Sequence, residues 1–190
     1  MASSQPVGFI KLLSQNFDIA TFIPKSFTQH YYADLGRDRK YSLTSVLSAL
    51  LIMQIFHIPT TALLTIFLVF STEIRDFCSF YDSIPDESFF SRFKTDFQSD
   101  IANLFDSMAL EVIDICEKID DNLPEDSPYK NLSSMLIYDT SGLKPKTVNT
   151  LTMRSDLYLT CIAKLINVIL AYAINKPEYI RSINKLLKIA

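Results

Sequence analysis

Glycine is nearly missing from this chain, with three in 190 residues, and tryptophan is absent. So little glycine leaves no Gly-rich loop of the kind that cradles phosphates. Only two histidines occur, His30 and His57, which excludes a histidine-rich metal site. The three cysteines, Cys78, Cys116 and Cys161, lie far apart and form no C-x-x-C. An odd count without metal spacing reads as reduced, mostly buried thiols of a cytosolic protein. The opening "MASSQPVGFI" lacks a basic start and an apolar run, so no secretory signal is expected. No Ser/His/Asp set stands out, and His57, just before Pro59, reads as structural or exposed rather than as a base.

What is present is apolar. Hydrophobic residues make up 48% of the chain, enough for a sizeable core in one domain of ordinary size, with or without appendages. Scarce glycine and plentiful Leu, Ile, Ala and Lys favour helix.

Charge is unevenly spread. Residues 1–40 carry 5 basic and 3 acidic side chains, residues 41–143 carry 5 and 16, and residues 144–190 carry 8 and 2. Basic ends around an acidic middle permit nucleic-acid contact without demanding it.

From Tyr41 to Thr72 there is no formal charge. The run is long enough to span a membrane, and Arg37, Arg39 and Lys40 would form its cytoplasmic flank. Against that reading, His57-Ile58-Pro59-Thr60-Thr61 divides it, and Ser42, Thr44, Ser45, Ser48 and Gln54 give the first piece a polar side. The division predicts two core helices, at about 42–56 and 60–70.

Residues 1–28 read as a loosely tied lead-in, and 72–82 as a helical or turn segment. In "SIPDESFFSRFKTDF", Asp86 or Ser83 can cap a helix whose Phe89, Phe90, Phe93 and Phe97 form one apolar face. Arg92 and Lys94 are expected off that face, where they would contact phosphates or merely anchor the helix in solvent. A helix over 100–118 precedes "DDNLPEDSPYKN", an acidic, proline-containing linker. "SMLIYDTSGL" is the one convincing strand. An apolar helix over 156–175 follows, and then a short basic helix through Lys188.

Asp139 closes that strand. A carboxylate there can share its oxygens between two Mg²⁺ ions, or simply cap the Thr140-Ser141 turn. Two-metal chemistry needs further acids, and after Asp139 only Asp156 and Glu178 remain. Both are expected in the first turns of helices, where the helix dipole accounts for them.

The order of these segments resembles the DDE transposases of bacterial insertion sequences. "IPDESFFSRFKTDF" is similar to the Phe-rich stretch of their helical amino-terminal domain. "IYDTSGLKP" is similar to the opening strand of their ribonuclease-H-like core. The likeness covers roughly residues 40–146, and residues 156–190 resemble the extreme end of such a chain. It implies that Asp139 is the first catalytic and metal-binding carboxylate, with Mg²⁺ as the family's cofactor. It implies also that most of the core, with the other two acids, has been deleted, so that Asp139 is orphaned and no metal is bound productively.

The expected fold is mainly α. A helical domain at 1–119 and an acidic linker at 120–134 precede a truncated core remnant at 135–190, with one strand and two carboxy-terminal helices. The leading functional reading is a cytoplasmic, transposase-related protein without complete catalysis. It would bind terminal inverted repeats, through Arg92 and Lys94, or a full-length transposase, and could form homo-oligomers. A helical regulatory protein without DNA contact and an integral membrane protein using residues 46–70 are the alternatives.

Overall fold

The computed structural model describes residues 5–33, 38–127 and 150–179, and the chain is mainly helical. In order come α1 (Gln5–Asn16), α2 (Lys25–Tyr31), α3 (Leu43–Ile55), α4 (Thr61–Phe70) and α5 (Thr72–Phe77). They are followed by α6 (Glu87–Asp96), α7 (Gln98–Asn122) and α8 (Thr150–Ala173). Short 3-10 turns lie at Ile19–Thr21 and Pro177–Tyr179. Among the described residues there is no strand, and the strand expected at 135–139 lies outside them, as does the segment after Tyr179.

Side-chain oxygens start the middle helices where the sequence suggests. Ser42 Oγ accepts from the Ser45 amide at 3.0 Å, Thr60 Oγ1 from Leu63 at 3.2 Å, and Asp86 Oδ1 from Phe89 at 2.8 Å. Each satisfies a first-turn N–H that has no partner within its own helix. Three helix ends are closed by a residue in the left-handed region: His57 after α3, Ser79 after α5 and Asn175 after α8, with φ of 53°, 57° and 53°. At α3 the His57 amide donates to Gln54 O at 3.2 Å, and the Ile58 amide reaches back to Met53 O at 2.8 Å. The same paired bonds recur at Ser79–Phe80 and at Asn175–Lys176. This reversal usually employs glycine; with three glycines in the chain, other residues occupy the position.

The uncharged run is thus two helices of 13 and 10 residues. At 1.5 Å per residue they measure about 20 Å and about 15 Å, short of the ~30 Å hydrocarbon thickness. One described segment, Met153–Ala173 in α8, is long and apolar enough to cross a membrane, and half of it is buried within the protein. The expected polar side of α3 does not materialise: Ser45 and Ser48 are buried with its apolar residues, so α3 is enclosed nearly all round. By contrast α4 buries Leu64 and Leu68 but leaves Ile66, Phe67, Val69 and Phe70 exposed.

The amino-terminal segment is a correction to its reading as a loose lead-in. Phe9, Leu13 and Phe27 of α1 and α2 are buried to 2% exposure or less and belong to the main core. Phe9 meets Phe56 edge to face at 5.9 Å, and Phe27 meets Phe97 at 5.8 Å. Helix α8 is the second surprise. It packs along α7 and against α3 and α6, and reaches α1. Its Leu159, Ile162, Ile166 and Leu170 are fully buried in the same core. The described segments on either side of 128–149 therefore share one hydrophobic interior.

Candidate nucleic-acid interface

Helix α6 carries the residues singled out for phosphate contact. Its start is fixed by Asp86, whose carboxylate accepts from Ser88 Oγ at 2.6 Å as well as from the Phe89 amide. Those hydrogen bonds, Ser88 first, favour the ionised form and hold the Asp86 carboxyl below its ordinary value, with Arg92 adding attraction. The inward face is aromatic: Phe90, Phe93 and Phe97 are buried, and Phe93 packs on Phe97 at 5.0 Å.

Arg92 is exposed, on the outer side of this helix, where the sequence places it. Lys94 is not. It is 4% exposed, and its Nζ donates to both carboxylate oxygens of Asp156 in α8, at 2.8 and 3.0 Å. The helical period explains this: Lys94 follows Phe90 by four residues and precedes Phe97 by three, which puts it on the inner face. An ammonium so placed neutralises a carboxylate of its own chain rather than reaching a phosphate. Asp156 is corrected with it, because α8 begins at Thr150 and Asp156 sits in its second turn as an ion-pair partner. Ser155 Oγ donates to Lys94 O beside the pair, and Thr160 Oγ1 donates to Gln54 Oε1 at 3.0 Å, so α8 is keyed by polar bonds to both α6 and α3.

A second group of cations stands where the chain enters α3. Arg39 Nε donates to the carbonyl of Tyr31, the last residue of α2, at 2.9 Å. Its guanidinium lies 5.0 Å from the centroid of Tyr31 and 5.6 Å from that of Phe97. Lys40 Nζ sits 5.3 Å from the ring of Tyr41, which in turn packs on Phe89 at 5.2 Å. Arg39 and Lys40 are exposed, like Arg92. The sequence reading gave them only a flanking role beside an apolar run; the aromatic residues around them were the available signal.

No metal centre can be assembled from the described part: no three His, Cys, Asp or Glu side chains converge among the described residues. Asp139 lies outside those residues. Of its possible fellows, Asp156 is committed to Lys94, and Glu178 lies in the turn at Pro177–Tyr179 with Oε1 4.0 Å from Lys176 Nζ. Neither is arranged to hold Mg²⁺. His57 is exposed in its turn, whereas His30 Nδ1 lies 2.8 Å from Oδ2 of the largely buried Asp100, tying α2 to α7. The cysteines are free thiols. Burial pushes Cys116 up to about 11, and raises Cys78 and Cys161 as well, so none is poised as a thiolate.

Fold and site together define a helical protein with an exposed basic group over an aromatic layer, and without an assembled metal site among the described residues. Residues 3–96 match the family model described as Transposase domain (DUF772), and the chain is transposase-related. That stretch runs from before α1 to the end of α6, so α7 and α8 lie beyond it. No curated protein and no solved structure matches the chain.

Proposed function

We propose that this transposase-related chain binds the terminal inverted repeats of a bacterial insertion sequence and lacks complete strand-transfer chemistry of its own. On this reading it derives from a DDE transposase by an internal deletion that spared the helical amino-terminal part. One observation carries the proposal. The matched transposase domain ends with α6, and Arg92 stands exposed on that helix, on the side away from its buried aromatic face. Catalysis is separable from binding. Two-metal transfer needs several carboxylates around one point; Asp139 supplies one, and Asp156 already serves Lys94. The protein would act in the cytoplasm, as a DNA-end competitor of a full-length transposase or as its partner.

The test is a shift titration of the purified chain with duplex carrying the terminal repeats of a related element. Random duplex is the control, at several salt concentrations and with Mg²⁺ present. End-preferring binding that weakens steeply with salt, without strand cleavage, is the expected result. Cleavage would overturn the claim of incomplete catalysis. Absence of binding at low salt would favour a helical regulatory protein without DNA contact, the reading that suits the acidic stretch at 41–143.

A further inference from the structure

We propose that Arg39 is a preorganised phosphate clamp, held ready by the fold to grip the backbone of a DNA duplex beside Arg92. The inference rests on the DNA-binding reading and deepens it by naming a residue and a mode of contact.

An exposed arginine ordinarily has many rotamers, and ordering one on binding costs free energy. Arg39 has been ordered in advance. Its Nε is bonded to Tyr31 O, and its guanidinium lies against the rings of Tyr31 and Phe97. The support is itself fixed. Tyr31 is 1% exposed, and its hydroxyl donates to Tyr41 O at 2.8 Å. The neighbouring His30 anchors α2 to Asp100 of α7, and its ring meets Phe97 at 5.0 Å. With Nε engaged, the two terminal amino groups remain, and among the described residues Arg39 forms no ion pair with a carboxylate. Two parallel N–H donors on a held guanidinium match two oxygens of a phosphodiester.

The setting suits a nucleic-acid backbone rather than a protein carboxylate. Lys40 follows at once on the Tyr41 ring, Tyr41 packs on Phe89, and Arg92 comes three residues after Phe89 on the same helix. Two exposed cations, Arg39 and Lys40, thus border one aromatic layer made by Tyr31, Tyr41, Phe89, Phe93 and Phe97, and Arg92 is exposed on the outer side of the helix that carries Phe89 and Phe93. Arg39 also lies at the carboxy-terminal end of α2, where a cation relieves unpaired carbonyls. Capping accounts for the Nε bond, but not for an exposed guanidinium whose terminal amino groups have no carboxylate partner among the described residues.

The experiment uses the full chain and the terminal-repeat duplex at several salt concentrations, comparing wild type with Arg39→Gln, Arg39→Lys and Arg92→Ala. Thermal midpoints are recorded for each. Arg39→Gln is expected to weaken binding roughly tenfold and to reduce the salt slope by about one, as the loss of one phosphate contact requires. Arg39→Lys should keep the slope but recover only part of the affinity, because it keeps the charge and loses the fork. If wild type and Arg92→Ala differ while both Arg39 variants bind like wild type, the clamp is overturned and the DNA-binding reading survives. If wild type binds no duplex, both fall together. Should Arg39→Gln not fold, Arg39→Lys decides: affinity equal to wild type would overturn the clamp.

Discussion

Lys94 and Asp156 form one bond with unequal ends. The lysine side chain is 5% exposed and the aspartate 31%. Removing the aspartate strands a charge in the interior, whereas removing the lysine leaves a carboxylate that water can still reach. Asp156→Asn should therefore cost about 3 kcal/mol and Lys94→Met about 1 kcal/mol. Urea unfolding of both single variants and the double variant would measure this, and equal losses would refute the asymmetry. The spacing from Phe90 puts Lys94 inward, a signal that the expectation of Lys94 off the apolar face passed over. Its partner was not legible, because 62 residues separate them and nothing local marks Asp156 as the answer to a buried cation. Asp86 shows the opposite case, a cap readable from "PDES" alone. Its folded pKa is depressed, so its contribution is present above the ordinary value of 3.8 and is lost as pH falls through the lower, folded value. The thermal midpoint of Asp86→Ala should accordingly lie below that of wild type at neutral pH, and the gap should close on acidification.

Among the elements, those with strong local signals were foreseen to within a residue or two. The helices expected at about 42–56 and 60–70, the break before Pro59 and a cap at Asp86 or Ser83 match the ends that are found, where Ser42, Thr60 and Asp86 are the caps. What failed was the judgement of which faces are covered. The serines of α3 looked like a solvent side, but α4, α5, α8 and the 3-10 turn at Ile19–Thr21 pack on that helix, and Ser45 Oγ is satisfied by Ser42 Oγ at 2.7 Å. Burial on all sides is a tertiary fact that no helical period reports. The scarcity of glycine has its own consequence at this scale. His57 and Ser79 close α3 and α5 in a backbone region that disfavours a side chain. Replacing either by glycine should relieve that strain and stabilise the protein by about 0.5–1 kcal/mol, after allowance for the freer unfolded chain. Asn175→Gly should gain less, because asparagine tolerates the left-handed region. Thermal midpoints of the three variants provide the check, and an equal or reversed order would contradict the argument.

At the scale of the whole molecule, α8 decides whether the transposase-like part can stand alone. The family match ends at residue 96, yet the core does not. Helix α8 inserts Leu159, Ile162, Ile166 and Leu170, all without solvent exposure, among α3, α6 and α7. It also brings the counter-charge for Lys94. A chain ending before Thr150 would lose all of this at once. The wall it left would be apolar along α3 and would hold an unpaired ammonium on α6, a combination that water cannot repair without loosening the packing. A single Ile166→Ala change removes one such side chain and should cost about 2–5 kcal/mol. Deleting the helix should exceed the total stability of a typical domain, about 5–15 kcal/mol. The truncated chain is therefore expected to keep helical far-ultraviolet dichroism, lose its near-ultraviolet signal and bind a hydrophobic dye. Any DNA binding through Arg39 or Arg92 should disappear with it, because the aromatic layer beneath Arg39 depends on the position of α6. A truncated chain that unfolded cooperatively and still bound duplex like the full chain would mean that α8 is an accessory to this core and not part of it.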